Sequence, residues 1–277
     1  MIPRRLIERL ISDAPFLTEA ALTAALLTHP EIQAVEHPGI TKARDMLKVR
    51  AEVKGDVATV PIYGVLARRP DPYEQAFYGV EDTEGVLEAV QTAASNPDVR
   101  GILLDVDSPG GFLTGGPEVA DAVRQASKTK PVVAWTGGYM ASLAYWIGSQ
   151  ASEVIASRSA VVGSIGVYLA MADYSKLFEA AGVKMEVLRN KEATFKAAGL
   201  TGTSLTDDQR SHLQERVQAS FAEFKNAIKN ARGDVPGDAM RGQTFTGREA
   251  KAQNLVDRVG DKAFAMGVLR SLIRGKG

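Results

Sequence analysis

"VRGILLDVDSPGG", residues 99–111, decides the fold. Ile102, Leu103, Leu104 and Val106 crowd into a short run without the strict alternation of a half-exposed strand, so the segment reads as a strand buried on both faces. Gly110 and Gly111 end it in a turn, with backbone angles open to them that are closed to other residues. Working outward, "VATVPIYGVL" (57–66) and "PVVAWTGG" (131–138) are strand-like in the same way. The segments between, "GVEDTEGVLEAVQTAASNP" (79–97) and "GGPEVADAVRQASKTK" (115–130), carry helical periodicity. Asp82 and Thr83 are candidate caps for the first helix, and Asn96-Pro97 stops it. Strand and helix in alternation imply βαβ crossovers and a mainly parallel sheet with helices on both faces.

Farther along, "ASLAYWIGSQAS" (141–152) reads as a helix, "EVIASRSAVVGSIGVYL" (153–169) as strand-like segments, and "KMEVLRN" (184–190) as another strand. From "SLTDDQRSHLQERVQASFAEFKNAIKNARG" (204–233) onward the chain reads as helical, with Thr206 and Gln209 at capping-box spacing and Gly233 as the stop. Residues 1–50 form a helical N-terminal arm and linker, with Leu6, Ile7, Leu10 and Ile11 on one face, and residues 51–277 form the main domain. The arm either packs on its own domain or docks on neighbouring subunits or another protein.

Lys plus Arg and Asp plus Glu both number 33, so the formal charge is zero and nothing favours nucleic acid or an anionic membrane as the main partner. The absence of cysteine excludes disulfides, thiolate nucleophiles and cysteine-ligated metals. No apolar run of roughly 18 residues is present to span a bilayer, and the N-terminus lacks a signal peptide's apolar core. A cytoplasmic setting is expected.

Two turns carry candidate chemistry. "DSPGG" (107–111) follows a buried strand and can aim free N–H groups at an anion. "GGYMAS" (137–142) leads Ser142 into a helix, where its hydroxyl is either a nucleophile or simply the helix cap. A nucleophilic serine needs a base. His29 and His37 lie in the arm, and His212 sits mid-helix among charged residues at a solvated position, so none suggests a Ser-His-Asp triad. A lysine can serve instead when burial disfavours its charged form. "NKEATFKAAGLTG" (190–202) offers Lys191 and Lys196, the latter in the more apolar setting, and composition does not choose between them.

"DSPGG", "MASLAYWIGSQASEVIASRSAVVGSIGV", "DYSKLFEAAGV", "ATFKAAG" and "FTGREAKAQNLVDRVG" follow one another in that order. Together they resemble the S49 peptidase family, signal peptide peptidase A and the related phage capsid maturation proteases, from about Val60 to Asp261. The resemblance implies an α/β fold of the ClpP/crotonase-like type, a spiral of ββα units. It places the nucleophile on Ser142, the general base on Lys196 with Lys191 as the alternative, the lysine-orienting serine on Ser164, and an oxyanion-holding N–H on Gly111. Many relatives carry two glycines after the nucleophile, where this chain has Leu143 and Ala144. The resemblance further implies a serine endopeptidase needing no metal or cofactor. Its partners would be polypeptides (capsid scaffold, portal or itself), and it would act as a cyclic homo-oligomer in the host cytoplasm or assembling prohead. A soluble bacterial signal-peptide-degrading protease is the alternative within the class. A crotonase-like acyl-CoA enzyme and an inactive scaffolding paralogue are alternatives outside it.

Overall fold

A computed structural model describes residues 49–71, 74–75 and 78–275. The helical arm expected before residue 49 lies outside the described residues. The chain divides into two compact units, the larger within His37–Val167 and Ser220–Gly277, the smaller including Tyr168–Ala219.

The larger unit is built on one mostly parallel sheet. Its elements in chain order are β1 (Glu52–Lys54), β2 (Val57–Ala67), β3 (Val80–Asp82), α1 (Thr83–Ser95), β4 (Gly101–Gly111), α2 (Gly116–Thr129), β5 (Val132–Ala141), α3 (Leu143–Gly148), β6 (Glu153–Ala156) and β7 (Val161–Gly163). The strand order is β1-β2-β4-β5-β6-β9, with β9 (Arg258–Val259) at the far edge, β3 beside β2, and β7 beside β5. β8 (Thr244–Thr246) pairs antiparallel with β7, and β1 pairs antiparallel with β2; the other pairings are parallel. The α/β class with a parallel sheet is therefore as expected.

Period-two alternation sorts β4 between two apolar layers. Ile102, Leu104 and Val106 enter the main core with Val60, Ile62 and Ala134, under α1, α2 and α3. Leu103 faces the other way, with Val57, Val133 and Ile155, under Ala265, Leu269 and Ile273 of the C-terminal helix Lys262–Gly275. β4 is thus apolar on both faces because both faces are covered.

Several local readings change. Val80–Asp82, ahead of the first helix, is a short strand; α1 itself starts at Thr83 with Asp82 as its cap, as expected, the Asp82 side chain accepting the Glu84 N–H. The glycine turn of "DSPGG" is itself the end of β4, and β5 runs three residues farther than expected, to Ala141. "KMEVLRN" forms no strand. Beyond residue 233 the chain adds β8, β9, a short helix Gly247–Ala252 and the C-terminal helix, so it is not wholly helical. The long helix Asp207–Arg232 does form, with the Thr206/Gln209 reciprocal bonds, and Gly233 ends it at φ 70°.

The smaller unit holds the helix Ser175–Ala180, turns through residues 191–203, and the first half of the helix Asp207–Arg232. Asp173 ties it together by accepting the Ser175 N–H (2.9 Å) and the Ser204 hydroxyl (2.8 Å).

Candidate active site

Ser142 stands between β5 and α3 with φ 52° and ψ −126°, a conformation that costs a non-glycine residue energy and that surrounding structure must hold in place. Two bonds hold it: its N–H donates to Gly163 O (2.8 Å), and its carbonyl accepts the Trp146 N–H (3.0 Å). Its hydroxyl makes no capping bond to α3. The cap reading fails. The side chain is half-buried, on a strand-to-helix turn with its oxygen uncommitted to the helix.

The turn is braced from below. Tyr145, fully buried, donates its hydroxyl to Leu255 O (2.8 Å), and burial pushes its phenol pKa up. Trp146 stacks on Phe224 with centroids 4.7 Å apart and planes 7° from parallel. Leu143 is received where Gly116 has no side chain: a Cβ there would stand 2.3 Å from Leu143 Cδ1. The larger residue after the serine is thus matched by a glycine opposite it.

Gly110 closes over Ser142, and Gly111 follows it against β2. Gly110 has φ 102°, and a Cβ on it would lie 2.7 Å from Ser142 Cβ and 2.9 Å from Leu143 N. A Cβ on Gly111 would lie 2.0 Å from Leu66 O. Phe112 donates its N–H to that same Leu66 oxygen (2.8 Å). Successive N–H groups of a strand point to opposite sides, so the Gly111 N–H faces away from β2. Leu143, first residue of α3, has an N–H without an intrahelical acceptor. These are donors of the kind that hold an oxyanion.

Ser164 follows the strand position paired with Ala141: Ala141 is opposite Gly163, so Ser142 and Ser164 leave neighbouring strand ends. Ser164 also has φ 52°, and its N–H donates to Gln243 O (2.8 Å). The larger unit therefore brings Ser142, Ser164, Gly110 and Gly111 together.

Lys196 belongs to the smaller unit and is exposed, as is Lys191, so the burial expected of a base lysine is not supplied within the described residues. Its N–H donates to Ala193 O (3.0 Å), and its carbonyl accepts Arg189 Nη1 (3.4 Å). Ala197 follows at φ 64°. The preceding turn is anchored on the long helix: buried Gln209 donates Nε2 to Thr194 O (2.9 Å), and the Phe195 and His212 rings meet at 4.7 Å. His212, expected at a solvated position, is half-buried against Phe195 because an aromatic neighbour covers it.

Two acidic groups on β4 escaped the sequence reading. Asp107 Oδ1 accepts the Tyr139 N–H (2.9 Å). Asp105, buried, accepts Lys262 Nζ (2.8 Å) and the Tyr63 hydroxyl; Lys262 also lies 5.8 Å from the Trp135 ring centroid. Burial first, then the Asp105 bond and the charges of Asp105 and Asp107, push the Tyr63 phenol upward. Among the described residues no group of three or more His, Cys, Asp or Glu could hold a metal ion, and no helix is long and apolar enough to cross a membrane.

The family model for peptidase family S49 matches residues 124–274. The chain belongs to peptidase family S49. This S49 chain is 31% identical to Capsid assembly protease C of Escherichia phage lambda over 225 residues, 80% of this chain and 50% of that one. It is 29% identical to Protease 4 of Salmonella typhi over 227 residues, 78% of this chain and 34% of that one. A solved enoyl-CoA hydratase/carnithine racemase from Magnetospirillum magneticum aligns with TM-score 0.47 at 15% identity, covering 82% of this chain and 73% of that one. The S49 chain thus spans half the length of the lambda protease and about a third of Protease 4.

Proposed function

We propose that this S49 peptidase is a serine endopeptidase in which Lys196 takes the proton of Ser142. The observation that carries the reading is Ser142 itself, held at φ 52° with no capping bond while Gly110 closes over it. Attack of Ser142 Oγ on a peptide carbonyl places negative charge on the carbonyl oxygen. The N–H groups of Gly111 and Leu143 hold that charge. The protonated lysine gives its proton to the leaving amine, and the neutral amine so restored activates water against the acyl-enzyme. Ser164, beside Ser142 at the strand ends, orients the lysine. No metal or cofactor enters these steps.

The similarity to the lambda capsid assembly protease supports a role in capsid maturation, on scaffold, portal or the enzyme's own chain, within the host cytoplasm or assembling prohead. A cyclic homo-oligomer is supported by residues 168–219. No apolar side chain there is buried, and Tyr168 (70% exposed) and Leu188 (95%) stand open to solvent. Such surfaces are normally covered by another chain.

The test is to incubate the protein and its Ser142→Ala variant with capsid, scaffold and portal proteins and to map cleavage by mass spectrometry. Cleavage by the wild type alone is expected. Equal cleavage by both, or labelling of a serine other than Ser142 by a fluorophosphonate, rejects the reading.

A further inference from the structure

Between β4 and β5 the ladder breaks just before the candidate nucleophile. Val106 pairs with Thr136, and the next aligned pair is Ser108 with Met140. One residue, Asp107, therefore faces three, Gly137 to Tyr139. In an unbroken parallel ladder the Tyr139 N–H has a backbone carbonyl to donate to. Here the Asp107 carboxylate takes that place, at 2.9 Å.

The fit is specific to the residue opposite. A Cβ on Gly138 would stand 2.3 Å from Asp107 Oδ1 and 2.7 Å from its Cγ. Gly138 is not in the left-handed region, so the carboxylate, and not the backbone, is what excludes a side chain there. Three residues beyond the Asp107–Tyr139 bond, one segment reaches Gly110 and the other Ser142, and these two meet: a Cβ on Gly110 would lie 2.7 Å from Ser142 Cβ. Immediately after the bond, Ser108 and Met140 are aligned, and the buried Ser108 hydroxyl accepts the Gly110 N–H (3.1 Å). The bond at Asp107 sets where both strands begin. It therefore sets how the donor of Gly111, one residue beyond Gly110, lies relative to the Ser142 oxygen.

We propose that Asp107 is a positioning residue for the nucleophile and oxyanion donors, acting through the Tyr139 amide rather than on substrate. The catalytic part rests on the endopeptidase reading above. A carboxylate charge is not required; an acceptor oxygen of the right reach is. Asparagine supplies one and alanine does not.

Three variants of the full chain test this, Asp107→Ala, Asp107→Asn and Gly138→Ala, together with the Asp107→Ala/Gly138→Ala double variant. Displacement of reacting groups by about an ångström costs up to about 100-fold in rate. Asp107→Ala is therefore expected to lower kcat and the rate of fluorophosphonate labelling at Ser142 by about 10- to 100-fold with KM within about twofold. Asp107→Asn should recover most of the loss. Gly138→Ala should reproduce Asp107→Ala, and the double variant should be no worse than either single one, since both remove one bond. Hydrogen exchange at the Tyr139 amide, measured without substrate, should accelerate in Asp107→Ala and Gly138→Ala and stay slow in Asp107→Asn. Unchanged exchange at Tyr139 in Asp107→Ala overturns the proposal whatever the enzyme does. So does faster exchange with unchanged kcat and labelling in a protein whose wild type is active. A wild type that neither cleaves peptides nor labels at Ser142 rejects the endopeptidase reading instead, and the exchange data still decide whether Asp107 holds the strand.

Discussion

The serine end and the lysine segment of this chain are stabilised in different ways. Around Ser142, the residues Leu143 to Gly148 are all buried, Tyr145 is pinned to Leu255, and Trp146 lies on Phe224. Around Lys196, turns are held by backbone bonds, one buried glutamine and a ring contact, and no apolar side chain of residues 168–219 is buried. Ordering a residue costs about 1–2 kcal/mol of backbone entropy, normally offset by apolar burial. The larger unit meets that cost within one chain. The smaller one carries its apolar side chains outward, so its order in the working enzyme depends on what covers them. A strained serine demands rigidity; a segment with its apolar side chains open demands a surface to pack on.

The largest expected effect tests whether both regions serve one reaction. Ser142→Ala and Lys196→Ala should each lower peptide hydrolysis by about 10⁴-fold or more, because members of a catalytic unit fail together. Lys191→Ala should leave kcat/KM within about threefold, and simultaneous replacement of His29, His37 and His212 should not abolish hydrolysis. Full activity in Lys196→Ala would break the link between the regions and leave only the serine side of the reading.

Next in size is a stability contrast. Phe224 is 2% exposed and Phe195 is 47% exposed. Phe224→Ala should cost about 3–5 kcal/mol in urea unfolding, and Phe195→Ala less than about 1 kcal/mol in the same assay on the monomer. Equal costs would show that the smaller unit has a core of its own and would erase the contrast.

The smallest effect sharpens it from the side of charge. Half-buried Glu81 on β3 has its carboxyl pushed up to about 7, mainly by burial, with the Asp82 N–H bond opposing and the Asp82 charge adding. The folded chain therefore holds this proton more tightly than the unfolded chain does. Its contribution is full below the ordinary value of 4.5 and is lost as pH rises through about 7. Urea midpoints of wild type should fall relative to Glu81→Gln between about pH 4.5 and pH 7. Parallel profiles would place Glu81 in ordinary solvent.

What could be read beforehand follows the same division. β2, β4, α1, α2 and the second half of the helix Asp207–Arg232, with Phe224 and Ile228, announce themselves because apolar periodicity reports burial, and these segments are buried by their own chain. "KMEVLRN" has the composition of a strand but no neighbour to pair with, so its alternation misleads. Ser142, Ser164 and Gly111 were reached through linked motifs and share one end of the sheet. Asp107 stands within "DSPGG", where residue type alone points to no role. Its task depends on a break in the β4–β5 register, and register across a crossover of 20 residues (112–131) leaves no local trace in sequence.

The contact between Leu143 and Gly116 has a consequence for how this chain can change. Gly116 starts α2 outside the left-handed region, where alanine would ordinarily strengthen a helix by about 0.5–1 kcal/mol. With leucine at 143 the added methyl meets three side-chain carbons within 2.9 Å, so the same mutation harms. With glycine at 143 it is harmless again. The sign of a mutation in one helix is therefore written in the residue that follows the serine. Any mutational path from leucine to glycine at 143 is free to fill position 116 only after that step, and the reverse path must empty it first.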